Sequence, residues 1–515
     1  MKFLDTVLQL TLSALAAAKG NSYDAPRPTA ALDSGPVVGD SIELLDSIAP
    51  VDRFLVIPYA SPPERFSRAM KPQPWAEPQL GPGLDILKGF FDNSPPESED
   101  CLYLNAFAPA SPQPPEGRPV LLFIHGGGWQ QGNGRIDMSA FAAYEDTVAF
   151  SFNYRTNIFG LPNSPSISTE DTNLGLAFGG DPSKVTIWGQ SAGSLSVDVH
   201  LNAYGDADQL PFRGAIMTSG QMSVGLLGTT ASPWDQNNWD VITQAVGCNE
   251  TDHQLACMRA VSAGDLVDAM SAAQVSFTPI ADNITLPSGR AERWRRGENA
   301  KVPVLMGTIA QEGRALVSRD VDMASFLDAY LMEPLVTHEQ REVILELYWA
   351  DDALKTDFDV AAATYTDYFW QCPQGILANI SATVGNPSWR FYFNASVTSL
   401  FPSEFAWLQK FHGSDAVLLL GAPTFEAEGL PLRPQLYKLG SYLRGVVARF
   451  VKNPQGGPGW PAVGSQYAPF DVANLGDVGS EGTAAGPTMV DRRVLDERCR
   501  LYETIYPVLE RYFLM

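Results

Sequence analysis

Gly189-Gln190-Ser191-Ala192-Gly193 is a G-x-S-x-G pentapeptide set directly after the apolar run 185–188 and before the helix-compatible stretch SLSVDVHL. A serine hydroxyl is a weak nucleophile until it is held exposed beside a base, and a sharp strand-to-helix turn can hold it so. The flanking glycines suit such a turn, since a Cβ there would collide with neighbouring backbone. Ser191 is therefore read as the nucleophile of an acyl transfer, against the plainer alternative of a serine that only caps the next helix. His125-Gly126-Gly127-Gly128-Trp129 follows a second apolar run, 120–124, and has the form of a loop whose backbone N–H groups face a developing oxyanion. Gly127 and Gly128 are expected to donate two of those hydrogen bonds and Ala192 the third.

Such a serine needs a base, and an acid to orient that base, in the chain order Ser, acid, His. Of the five histidines, His125, His200 and His253 come too early for this order. His338 falls in the first turn of the expected surface helix HEQREVILELY, where a solvated side chain is the natural reading. His412 lies in the loop-like His412-Gly413-Ser414-Asp415 after the strand run 389–393, and it is the expected base. The acid should stand just past a strand end ahead of it. Residues 302–306 form such a strand and lead into Gln311-Glu312-Gly313, so Glu312 fits. A Glu before Gly is as often an exposed loop residue, and the residues alone leave the two readings open.

Positioning these groups falls to the apolar runs 120–124, 148–152, 185–188, 214–218 and 302–306, each bounded by turn residues. Long connections separate them, in place of tight hairpins, so a mainly parallel sheet with crossover helices on both faces is expected. The functional residues then belong at the C-terminal strand ends. Residues 221–300 read as helices and loops over the sheet edge. Thr337 with Gln340 reads as a capping box, and 436–450 and 490–512 have helical spacing. The Gly- and Pro-rich stretch 455–487 is expected to be loop.

A formal charge of −23 would repel phosphate backbones and anionic membrane surfaces, so nucleic acid is not an expected partner. Residues 1–18, with Lys2 before a short apolar run ending in small residues, have the pattern of a signal peptide. No apolar stretch in the chain is long enough to span a bilayer. A secreted protein without a stable membrane anchor follows, with residues 19–515 as a single domain. Five cysteines suit an oxidising compartment and leave at least one without an intrachain partner; Cys248 and Cys257 are close enough to close a small loop. Sequons at Asn249, Asn283, Asn379 and Asn394 agree with export.

Taken with IPYASPPERF, SEDCLYLN, FNYRTNIFG, FGGDPSKVTIWGQSAG and FRGAIMTSG, these motifs resemble the type-B carboxylesterase family, which also contains fungal lipases, cholinesterases and the non-catalytic neuroligins. The resemblance covers most of the chain after the leader. It implies an α/β-hydrolase fold with lid or cap insertions, Ser191, Glu312 and His412 as the triad, and Gly127, Gly128 and Ala192 as the oxyanion hole. It also implies that Cys248 pairs with Cys257 and Cys372 with Cys499, leaving Cys101 without the upstream partner that relatives have. Phe91 stands where cholinesterases carry a choline-stacking tryptophan, and Val56 replaces a customary glycine.

Hydrolysis of a small-molecule or lipid ester through an acyl-Ser191 intermediate, with no metal or organic cofactor, is the expected activity. A non-catalytic binding protein on the same scaffold is the other class, and the intact Ser, Glu and His set argues against it. A third expectation comes from a gap. Relatives place an amphipathic helix between their Asn-Leu-Gly-Leu motif and FGGDP, whereas here Leu176 runs straight into Ala177-Phe178-Gly179-Gly180. On the order of fifteen residues, about four helical turns, are missing. The chain as written is then expected to be an inactive family member from a mis-spliced or truncated gene, with apolar surface exposed beside the nucleophile strand.

Overall fold

The computed structural model describes residues 27–77, 79–80, 97–162, 180–205, 207, 209–227, 237–249, 253–283, 286–333, 335–427, 434–476 and 486–513. The expected leader 1–18, Phe91 and the expected gap after Leu176 lie outside the described residues. Along the chain the strands are β1 (Thr29–Leu32), β2 (Gly35–Val38), β3 (Asp40–Ile42), β4 (Val51–Pro58), β5 (Gln79–Leu80), β6 (Tyr103–Pro109) and β7 (Arg118–Ile124). They continue as β8 (Val148–Phe152), β9 (Gly180–Gln190), β10 (Gly214–Thr218), β11 (Val304–Ile309), β12 (Ser388–Phe393), β13 (Val472–Leu475) and β14 (Thr488–Val490). A small sheet joins β1, β2 and β5, and the rest form one sheet in the order β14-β13-β12-β11-β10-β9-β7-β8-β6-β4-β3.

Pairing is parallel from β8 across to β13 and antiparallel at both margins. Every residue of β10 and β11 is buried, as in parallel strands covered on both faces. On one face Leu121, Phe123, Trp188, Ile216 and Leu305 pack against helices Ser139–Glu145, Ser414–Ala427 and Pro434–Lys452. On the other, Ile187, Ala215, Met217 and Val304 pack with Val197 and Leu201 of helix Ala192–Ala203. Further along that second face Val120, Val148 and Phe150 are buried, while Leu122, Phe152 and Val185 are half-buried. The architecture is the expected α/β fold with a mainly parallel sheet and helices on both faces.

Three details depart from the sequence reading. The stretch 455–487, read as loop, contains β13, whose four buried residues Val-Ala-Asn-Leu pair with β12 on one side and β14 on the other. So short a run between glycines and prolines carries little periodicity, and the parallel partner that buries it, β12, is remote in the chain. The helical spacing of 490–512 breaks into the end of β14, a short helix Arg492–Leu495, a 3-10 turn Glu497–Leu501 and helix Tyr506–Phe513. The break falls where Cys499 is bonded to Cys372 and Asp496 binds Arg390 and Gln371. The antiparallel strands β3, β4 and β6 were absent from the list of apolar runs. The capping box forms at helix His338–Trp349, with Thr337 and Gln340 satisfying each other's backbone N–H groups.

Cys248 is bonded to Cys257, and Cys101 is a free, half-buried thiol. Burial is the first cause that pushes this thiol up from its ordinary range. Asn249, Asn283 and Asn379 are exposed, whereas Asn394 is half-buried and accepts a hydrogen bond from Lys410 Nζ at 2.5 Å. No helix among the described residues is long and apolar enough to cross a membrane.

The backbone at Val56 is of a kind that favours glycine. It sits in β4 at φ 57°, within a register shift between Phe54 and Ile57 against β6, and its N–H donates to Asn105 Oδ1 at 3.0 Å. A β-branched side chain in left-handed backbone costs about 1–2 kcal/mol. Val56→Gly is therefore expected to stabilise the fold by no more than about 0.5 kcal/mol, since glycine's chain entropy and the lost packing against the core offset most of the relieved strain. Denaturant unfolding checks this, and a fall in stability would show that side-chain packing outweighs the strain.

Candidate active site

Ser191 follows the last residue of β9 and precedes helix Ala192–Ala203, with φ 56° and ψ −125°. This strained conformation is held from both sides: Ser191 N–H donates to Thr218 O of β10 at 3.0 Å, and its carbonyl accepts from Leu195 N–H at 2.9 Å. A Cβ on Gly193 would lie 2.0 Å from Ile124 O, so the second glycine of the pentapeptide is what lets the helix start against β7. As the first residue of a 12-residue helix, Ala192 has an N–H without an intrahelical acceptor, at the positive end of the helix dipole.

The glycine loop after β7 lies against this turn. A Cβ on Gly126 would stand 2.8 Å from Ser191 Cβ. Gly127 has φ 107° and Gly128 φ 64°, and a Cβ on Gly127 would meet Gln131 O at 2.1 Å, so the loop's path requires glycine there. Gly127 O accepts from the N–H groups of Gln130 and Gln131, which turns the loop back on itself. Among the described residues no acceptor meets the N–H of Gly127, Gly128 or Ala192, so these donors are free for a ligand oxygen.

Glu312 and His412 meet although they lie 100 residues apart. Glu312 opens the 3-10 turn after β11 and is fully buried; its Oε1 accepts from Ile309 N–H at 2.8 Å, and its Oε2 stands 2.6 Å from His412 Nδ1. The two loops are stitched together beside that contact. Gln311 N–H donates to Lys410 O, Lys410 N–H donates to Gln311 Oε1, and Arg314 Nε donates to Trp407 O. A carboxylate only accepts, so the hydrogen between the pair sits on Nδ1 and leaves Nε2 as the basic nitrogen. That nitrogen lies 3.4 Å from Gln190 Nε2, beside the nucleophile. The structure thus gathers Ser191, Glu312, His412, Gly127, Gly128 and Ala192 at one place. It sets His338 apart on the surface, within 3.3 Å of Glu342.

The sequence profile described as "Carboxylesterase family" matches residues 26–477. The chain belongs to the carboxylesterase family. It is 29% identical to lipase 1 of Geotrichum candidum, over 76% of this chain and 83% of the lipase. To the para-nitrobenzyl esterase of Bacillus subtilis it is 32% identical, over 58% of this chain and 67% of that one. Mouse neuroligin-3 is 27% identical over 81% of this chain, which spans 60% of the neuroligin's length. A solved structure titled PNB esterase superimposes with a TM-score of 0.68 at 24% identity, covering 92% of this chain and all of that one, and shows the shared fold.

In this carboxylesterase-family chain several groups around Ser191, Glu312 and His412 escaped the sequence reading. Trp370 lies in a π-helical turn, Asp367–Gln371, and its ring stands 4.5 Å from that of His412, walling one side of the imidazole. No local pattern marks it, because the contact exists only once the turn is seated against the loop of 412. His125 is buried and stacks on Tyr154 at 4.2 Å, with Nδ1 2.8 Å from Gly126 O. Tyr154 Oη donates to His125 O at 2.8 Å, so the pair braces the start of the glycine loop. Burial lowers the His125 ring to about 4, so it stays neutral at ordinary pH and serves the loop's shape. Asp415 is buried near His412; burial, and then the nearby charge of Glu312, push its carboxyl up to about 7.

Proposed function

We propose that the chain is a secreted serine hydrolase that cleaves carboxylic esters through an acyl-enzyme on Ser191. The observation that carries the reading is the 2.6 Å contact of buried Glu312 with His412 Nδ1, which turns Nε2 toward the strained serine turn. Ser191 Oγ attacks the ester carbonyl while its proton passes to His412 Nε2, and the carbonyl π electrons move to the oxygen. That oxyanion lies against the N–H groups of Gly127, Gly128 and Ala192, each such donor being worth about 2.7–4 kcal/mol in the transition state. Collapse breaks the bond to the leaving alkoxide, which takes the proton from Nε2. Water, deprotonated by the same nitrogen, then releases the acid and restores Ser191. Glu312 orients the ring and stabilises its charged form without taking the proton.

Family membership supports a small-molecule or lipid ester as the substrate class, and the full Ser, Glu and His set favours catalysis over a purely adhesive role. Export, with N-glycans on the exposed sequons Asn249, Asn283 and Asn379, fits the two disulfides. The test is a hydrolysis profile over p-nitrophenyl esters from short to long acyl chains. Turnover is expected with at least one acyl length, and the optimum separates an esterase from a lipase. No turnover above the background rate with any of them would overturn the reading.

A further inference from the structure

Gln190, the variable residue of the pentapeptide, reaches across the site. Its Nε2 lies 3.4 Å from His412 Nε2, and a Cβ placed on Gly413 would stand 3.6 Å from the same amide nitrogen. A Cβ on Gly126 would meet Gln190 Oε1 at 2.8 Å. The carboxamide is thus wedged between the glycine loop and the loop of the base. Two contacts define the imidazole together. Nδ1 faces a carboxylate and must carry hydrogen, so in the neutral ring Nε2 has only a lone pair, which the N–H end of an amide can meet. Among the described residues no hydrogen bond joins Ser191 Oγ to His412; the one made by Nε2 is with Gln190.

We propose that Gln190 is a positioning residue for the base: its amide N–H donates to the bare Nε2 of His412 and holds the neutral, Nδ1-protonated ring in place in the resting enzyme. This rests on the reading of His412 as the base. Before Ser191 is deprotonated, Nε2 exchanges the Gln190 N–H for the hydroxyl of the next residue in the chain. Once Nε2 is protonated, the amide N–H repels it, so Gln190 favours the neutral ring. Among the described residues the other titratable groups against the imidazole are Glu312 and Asp415, and Trp370 is an uncharged wall.

Two readouts test this in the full-length protein. The first is the pH profile of kcat/KM for Gln190→Ala and Gln190→Glu. Losing the donor favours the protonated ring, so the acid limb should move up by about half a unit to one unit in the alanine variant, the worth of one neutral hydrogen bond. In Gln190→Glu the carboxylate accepts from a protonated Nε2, and the limb should move up by more than about one unit. Repeating each profile in an Asp415→Asn background separates the titration of Asp415. The second readout is the 15N spectrum of histidine-labelled protein, where only five rings contribute and His412→Gln identifies the relevant one. A bare Nε2 is expected in the native protein at the pH where kcat/KM is maximal, with a shift toward the doubly protonated ring in Gln190→Glu. Should that variant fail to fold, Gln190→Met, similar in volume and without a donor, makes the same comparison as the alanine. An unchanged acid limb together with an unchanged Nε2 resonance overturns the proposal. A native protein without esterase activity would instead overturn the functional reading, and the 15N spectrum would still decide the hydrogen bond.

Discussion

Ser191→Ala lowers kcat for p-nitrophenyl butyrate by about five to six orders of magnitude, the loss expected when the nucleophile of a triad is removed. The size follows from the chemistry: without Oγ there is no acyl-enzyme, and the donors of the glycine loop can act only on direct attack by water. The fold is expected to survive. The bonds that fix the turn, from Ser191 N–H to Thr218 O and from Leu195 N–H to Ser191 O, belong to the backbone, and alanine has the same Cβ in the same strained conformation. Circular dichroism and the unfolding midpoint should match the native protein to within about 0.5 kcal/mol. Activity within about tenfold of native, with product confirmed by mass, would remove Ser191 from the chemistry.

His412→Gln should be nearly as damaging, with kcat down by about four to six orders of magnitude. Glutamine is the informative replacement, because its amide N–H can still donate to Glu312 Oε2 and spare the fully buried carboxylate an unpaired state. What is lost is the proton acceptor facing the serine turn. His338→Gln is the control. That ring is exposed at the start of a surface helix, beside Glu342 one turn on, so turnover should stay at the native value. Steady-state kinetics on the two variants side by side decide the matter. A large loss in His338→Gln with activity retained in His412→Gln would reverse the choice of base.

The chemistry-bearing segments were legible wherever their physics is local. A strand, a tight turn and a helix can be read from one stretch of about twenty residues, and so could the turn of Ser191, the glycine loop and the capping box of Thr337. Glu312 shows the limit. Its loop looks the same whether the side chain points to solvent or to a base 100 residues on, and resemblance, not the residues themselves, singled it out. β13 shows another: four residues become a strand because β12 and β14 flank them, and β12 lies far back in the chain.

By its sequence alone this protein was determined to carry a strand-to-helix turn at Ser191, a glycine loop after a buried strand, and a mainly parallel sheet to hold them. These features depend on steric and hydrogen-bonding constraints among neighbours in the chain. The meeting of Glu312 with His412, the reach of Gln190 to a nitrogen 222 residues away, the wall made by Trp370 and the left-handed backbone of Val56 were decided only by the tertiary structure. Each depends on which loops the sheet brings side by side and at what register, and those are settled by packing the whole chain, since no short segment contains both partners.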